Sequence, residues 1–245
     1  DMLSPLAAQK HINMAFYYAE NIPQHVIGDA LRFKQILTNL ISNAIKFTPE
    51  GEIIVRVRME DEDIGQCVLH FSVQDSGIGL SGTDRKKLFE SFSQGDASVT
   101  RQFGGTGLGL AISKQLVHLM HGQIGFEDNQ ERAPTEKGST FWFTASFKVD
   151  EQDEFVEHPH FDHLQVVSYL AHPATASVLR SYLENYHVAH IETQSILDLF
   201  SRLNHLNQQE NTWLIVDHSG DTEALLKEIR QRYQGNLAVY GYQMS

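Results

Sequence analysis

Asn39-Leu40-Ile41-Ser42-Asn43-Ala44-Ile45-Lys46-Phe47-Thr48 is the stretch that decides how this 245-residue chain folds. Its apolar residues, with Leu31, Ile36 and Leu37 before them, recur at helical spacing, and Thr48-Pro49-Glu50-Gly51 stops the pattern. One helix is therefore expected over residues 28–47. On it Arg32, Gln35, Asn39, Asn43 and Lys46 fall at i, i+3, i+7, i+11 and i+14, forming one polar stripe. An amphipathic helix ordinarily turns such a stripe to solvent. Here the centre of the stripe is amides rather than charges, and apolar residues flank it on both sides. Two carboxamides and an ammonium facing a cleft suit a hydrated Mg2+ and its phosphates, because Mg2+ keeps several waters and takes few protein oxygens.

Two alternating runs follow the helix: Ile53, Val55, Val57, Met59 and Cys67, Leu69, Phe71, Val73. They read as strands with one buried face, joined by the turn Asp61–Gly65. Asp75-Ser76-Gly77-Ile78-Gly79-Leu80 sits where the second strand ends. Gly-x-Gly alone fits any tight turn. A carboxylate beside a backbone that can come close is also how a site would accept an exocyclic amine such as that of adenine. After a short amphipathic helix expected near 85–92, Gly104-Gly105-Thr106-Gly107-Leu108-Gly109-Leu110 leads into a helix expected from about 107 to 121. The free N–H groups and positive end of that helix form an anion site. No Gly-x-x-x-x-Gly-Lys-Ser/Thr is present, and these glycines do not follow a strand with dinucleotide-fold spacing. Strands at 123–127 and 139–149 close this half.

Composition narrows the classes further. One cysteine, Cys67, excludes a disulfide scaffold and fits a small core residue in a reducing compartment. No apolar run approaches the ~20 residues of a membrane span, and no signal peptide opens the sequence. Residues 1–150 hold 14 Lys+Arg against 18 Asp+Glu (−4), and 151–245 hold 5 against 13 (−8), which together give the net −12. Such acidity opposes tracking of a nucleic-acid backbone and docking on an anionic membrane. If phosphates are bound, they must be bound locally, by a few basic side chains and backbone N–H groups.

Residues 150–163 are polar, acidic and contain Pro159, which reads as a linker. His158, His160 and His163 within it read as solvated linker residues rather than a metal site. Beyond it the pattern changes to strand 164–170, helix 174–186, strand 188–192, helix 195–207, strand 213–217, helix 222–233 and strand 236–240. Strands alternating with helices imply a parallel α/β sheet.

The three glycine- and asparagine-containing elements, in this order, resemble the nucleotide-binding motifs of the catalytic ATP-binding domain of sensor histidine kinases. Asn39–Thr48 is similar to its N box, Asp75–Gly79 to the G1 box, Leu88-Phe89-Glu90-Ser91-Phe92 to the F box and Gly105–Gly109 to the G2 box. Gly138-Ser139-Thr140-Phe141 is similar to its final Gly-Thr-x-Phe element. The resemblance covers about residues 5–150. It implies the Bergerat ATP-binding fold, an α/β two-layer sandwich whose mixed sheet carries helices on one face, with ATP and Mg2+ as cofactors. It also implies that Asn43 binds Mg2+ with Asn39 supporting its water shell, and that Lys46 touches phosphate. Asp75, helped by Thr140 through water, would read the adenine amine. Phe47, Gly77, Gly79, Leu80, Phe89, Phe92, Gly105, Thr106, Gly107, Leu108 and Gly109 would line the nucleotide. A lid at about 93–106 would close over it, with Arg101 on the γ-phosphate. Many relatives have an arginine just after the second F-box phenylalanine, where this chain has Ser93-Gln94.

Gyrase-like and MutL-like ATPases share that fold and carry a glutamate, the general base for water, where this chain has Asn39. An amide cannot take a proton at neutral pH, so transfer to another nucleophile is expected over hydrolysis. None of the 13 histidines stands in a phosphoacceptor pattern. The nucleophile is therefore expected on a dimerisation hairpin absent from this chain, which reads as an excised, monomeric piece of a homodimeric kinase. A vestigial nucleotide site on a non-catalytic scaffold and an ATP hydrolase of the gyrase kind are the alternatives.

The second half resembles a response-regulator receiver, with Trp213-Leu214-Ile215-Val216-Asp217 ending its third strand where a receiver keeps its phosphoacceptor. It departs from that pattern in having Tyr169-Leu170-Ala171-His172 where an acidic pair holds Mg2+, and it stops before a fifth strand. The expected layout is a catalytic domain at 1–149, an acidic linker at 150–163, and a smaller, degenerate flavodoxin-like domain at 164–245. Such an order resembles hybrid sensor kinases of the GacS/BarA type. That resemblance implies the cytoplasmic portion of an inner-membrane-anchored bacterial kinase, with downstream receiver and phosphotransfer domains and a response regulator as partners.

Overall fold

A computed structural model describes residues 3–79, 88–89, 108–129, 138–150, 161, 163–203, 211–217 and 222–240. The chain divides into two units, Asp1–Val156 and Glu157–Ser245. In the first unit the elements run α1 (Ser4–Gln9), β1 (Ile12–Tyr18), β2 (Val26–Ile27), α2 (Ala30–Phe47), β3 (Gly51–Asp63), β4 (Gln66–Asp75), α3 (Gly109–Leu119), β5 (Ile124–Asp128) and β6 (Ser139–Val149). The strands form one mixed sheet in the order β1-β3-β4-β6-β2, with β5 also on β6. Among the described strands of this sheet, only β1 and β3 pair in parallel.

Alternation along β3, β4 and β6 turns Ile53, Val55, Val57, Leu69, Phe71, Val73, Phe143 and Ala145 to one face. Against them pack Ile36, Leu40, Ile41, Ala44 and Ile45 of α2 and Val117 of α3. Phe71 stacks on Phe143 with ring centroids 4.8 Å apart. Each such side chain removed from water contributes about 1.5–3 kcal/mol before the cost of ordering it. This is the mixed α/β architecture expected of residues 1–149.

Both ends of α2 are capped. Asp29 accepts from the Arg32 N–H at 2.9 Å and pairs with its guanidinium at 3.1 Å, so the helix starts two residues later than periodicity predicts. At its C-terminus the Lys10 ammonium donates to the carbonyls of Ile45 at 2.7 Å and Lys46 at 3.1 Å. That satisfies two carbonyls a helix otherwise leaves open.

The second unit runs β7 (Gln165–Tyr169), α4 (Pro173–Asn185), β8 (Ala189–Glu192), α5 (Ile196–Leu203), β9 (Thr212–Asp217), α6 (Thr222–Arg232) and β10 (Asn236–Tyr240). Its sheet is parallel in the order β10-β9-β7-β8. Counted within the unit this is 4-3-1-2, the first four strands of the flavodoxin-like order. Val167, Leu214 and Val216 of the sheet bury against Leu199 and Leu203 of α5 and Ile229 of α6. No helix among the described residues is long and apolar enough to cross a membrane.

Candidate nucleotide-binding site

The polar stripe of α2 does not act as a unit. Arg32 is taken up by the N-cap pair with Asp29, and Gln35 is exposed. Asn39 and Asn43, one turn apart, and Lys46 are partly exposed. The Lys46 ammonium lies 4.9 Å from the centroid of the Phe47 ring. Asn39 meets α3: its Nδ2 donates to the Ser113 hydroxyl at 2.8 Å, and a Cβ at Gly109 would stand 2.5 Å from its Oδ1. A side chain at the last glycine of the Gly104–Gly109 cluster would thus push this carboxamide aside, a contact the sequence alone does not reveal.

At the other end of α2, the Asp75–Gly79 loop sits on the helix terminus. The Ile78 N–H donates to the Phe47 carbonyl at 3.3 Å, and a Cβ at Gly77 would stand 2.4 Å from that same oxygen. Gly79 has φ +70°, in the left-handed region that favours glycine. Asp75, only 4% exposed, ends β4 beside this loop. Its Oδ1 accepts from the N–H groups of Gly77 at 2.9 Å and Ser139 at 3.3 Å, and its Oδ2 from the Ser139 hydroxyl at 2.7 Å. Burial pushes the Asp75 carboxyl above the ordinary aspartate value, and the Ser139 hydroxyl and the two N–H groups oppose that shift.

The hydroxyl that meets Asp75 directly is that of Ser139. Successive residues of β6 point to opposite faces, and only one of Ser139 and Thr140 can meet the end of β4. The Thr140 hydroxyl instead donates to Asn129 Oδ1 at 2.7 Å, and Asn129 Nδ2 donates to the Asp75 carbonyl at 2.9 Å. Asn129, 2% exposed, was not legible as a site residue because it belongs to no motif. Of the remaining expected residues, Phe89 packs on the first core and Leu108 precedes α3. Leu80, Phe92, Arg101, Gly105, Thr106, Gly107 and most of the segments 85–92 and 93–106 lie outside the described residues.

One helix thus carries a carboxamide pair and a lysine, and its C-terminal end meets the loop that follows the strand-end carboxylate. Residues 28–149 match the family described as histidine kinase-, DNA gyrase B-, and HSP90-like ATPase. They are a domain of that family. The chain is similar to the sensor histidine kinase GacS of Pseudomonas protegens, 46% identical over 62% of this chain and 16% of that protein. Similarity to hybrid signal transduction histidine kinase C of Dictyostelium discoideum, at 33% identity, extends over 88% of this chain and 18% of that protein. The chain therefore spans less than a fifth of either relative. The crystal structure of full-length ShkA in complex with AMPPNP shares the fold over 97% of this chain and 50% of that one, with a TM-score of 0.69 at 22% identity.

In the second unit Asp217, 1% exposed, ends β9, and its Oδ2 accepts from the Ala171 N–H at 2.5 Å. Ala171 belongs to the β7–α4 loop, where a receiver's acidic pair would stand. A backbone donor occupies the carboxylate there.

Proposed function

We propose that residues 1–149 are the ATP-binding catalytic part of a sensor histidine kinase, which presents the γ-phosphate of ATP to a histidine carried outside residues 1–245. The observation that carries this reading is the Asp75 carboxylate, buried and fixed by three donors in a loop seated on the same helix as Asn39, Asn43 and Lys46. One lone pair of Asp75 Oδ2 is left to accept from the adenine amine.

The donor set fits Mg2+. Asn39 spends its Nδ2 on Ser113, which leaves carboxamide oxygens one turn apart, and hard cations take oxygen. In this reading Asn43 holds the ion and Asn39 a water of its shell, while Lys46 and Arg101 meet the phosphates. Mg2+ supplies charge neutralisation on the phosphates when bound. An imidazole nitrogen forms a bond to the γ-phosphorus in line as the bond to the bridging β–γ oxygen breaks, and ADP leaves. This chain's residues bind, orient and neutralise without covalent chemistry of their own. Asn39 cannot deprotonate water, which favours transfer over hydrolysis.

Residues 164–245 are read as a receiver-like docking domain in which Asp217 is a structural residue, and the whole as the cytoplasmic portion of a membrane-anchored kinase in a phosphorelay. Calorimetry with a non-hydrolysable ATP analogue tests the site. Binding that is Mg2+-dependent and lost in Asn43→Ala supports it. No binding to the unaltered chain at millimolar analogue overturns it in favour of a vestigial pocket.

A further inference from the structure

We infer that Ser113 is a positioning residue for Asn39, holding its carboxamide against α3 so that the oxygen is left for the ion-bearing side of the site. The inference rests on the nucleotide-binding reading above. Two contacts carry it. Asn39 Nδ2 donates to the Ser113 hydroxyl at 2.8 Å, and Oδ1 lies where a Cβ of Gly109 would come within 2.5 Å. Gly109 and Ser113 are one helical turn apart in α3 (Gly109–Leu119), so the carboxamide lies along the first turn of that helix. Its oxygen is the end nearer Gly109, at the positive N-terminal end of α3, which the helix dipole favours.

Only the carboxamide oxygen can accept from a water bound to a cation, and with Nδ2 donating to Ser113 that oxygen is kept for this role. Ser113 is 2% exposed, which excludes a surface role for its hydroxyl. Partners that orient a residue of a metal site typically change metal affinity ten- to a hundred-fold when removed.

The test measures affinity for the ATP analogue with Mg2+ and with EDTA, together with thermal melting, for the unaltered chain, Ser113→Ala, Ser113→Thr, Asn39→Ala and the Asn39→Ala/Ser113→Ala pair. Ser113→Ala is expected to cut the Mg2+-dependent gain about tenfold while leaving the EDTA affinity and the melting temperature unchanged. Ser113→Thr, which keeps the hydroxyl, is expected to restore the gain, and the pair to lose no more than Asn39→Ala alone. A full Mg2+ gain in Ser113→Ala, or equal losses with Mg2+ and EDTA, overturns the positioning role. Failure of the unaltered chain to bind the analogue would instead overturn the nucleotide reading itself.

Discussion

Replacing Asp75 with asparagine separates recognition from folding in a way alanine cannot. Alanine would strand the buried N–H groups of Gly77 and Ser139, each costing about 1–3 kcal/mol. Asparagine keeps Oδ1 for both N–H groups, and its Nδ2 can donate to the Ser139 oxygen that now donates to Oδ2. Only the remaining lone pair of Oδ2 disappears, and a donor takes its place opposite the adenine amine. A hydrogen bond to a charged group is worth about 1.5–3 kcal/mol, so affinity for the ATP analogue should fall about 100-fold. The melting temperature at neutral pH should not fall, because burial penalises the Asp75 charge. The sign can be followed with pH. The native carboxyl binds its proton more readily than the unfolded one, so the penalty is present above the raised native pKa. It disappears as pH drops through that value towards the ordinary aspartate range. Any stability advantage of Asp75→Asn should therefore be largest at neutral pH and shrink on acidification. Calorimetry and melting curves at two pH values read both effects. An analogue affinity within threefold of the unaltered chain would refute the assignment of Asp75 to the base.

Gly138, at φ +91°, has the Asp75 carbonyl 2.0 Å from the position of an added Cβ. Gly138→Ala should destabilise the first unit by about 3 kcal/mol in urea melts, and nucleotide binding should weaken with it. Lys10→Met keeps the apolar stem but removes the cap on α2, with an expected loss of about 1 kcal/mol in the same assay. His121, just past the end of α3, holds φ +55°. His121→Gly relieves about 1 kcal/mol of left-handed strain and should raise the melting temperature.

The sequence and the structure agree best where periodicity is long and one-sided. Helix α2 ends at Phe47 as read, and the seven elements of the second unit stand where strand–helix alternation puts them, with α5 described only to Leu203. Strand β1, Ile12-Asn13-Met14-Ala15-Phe16-Tyr17-Tyr18, escaped because its aromatic, apolar run shows no clean alternation. It is defined by parallel pairing with β3, a long-range feature. Two-residue β2 gives no periodic signal at all. Asp75, Gly77 and Gly79 were legible as a tight turn from glycine spacing beside a strand end, and one loop holds all three. The direct contact of Ser139 with Asp75 was not legible, since it depends on register between β4 and β6. Asn129 and Ser113 act through tertiary contacts that no local pattern announces.

The central claim is that this chain transfers phosphate rather than releasing it. The most direct measurement incubates the chain with γ-labelled ATP, Mg2+ and a separately supplied phosphoacceptor hairpin of a sensor histidine kinase. The account predicts label on the hairpin that is acid-labile and base-stable, as phosphohistidine is, and that is lost with Asn43→Ala. Label released as inorganic phosphate, with the hairpin unlabelled, would contradict it.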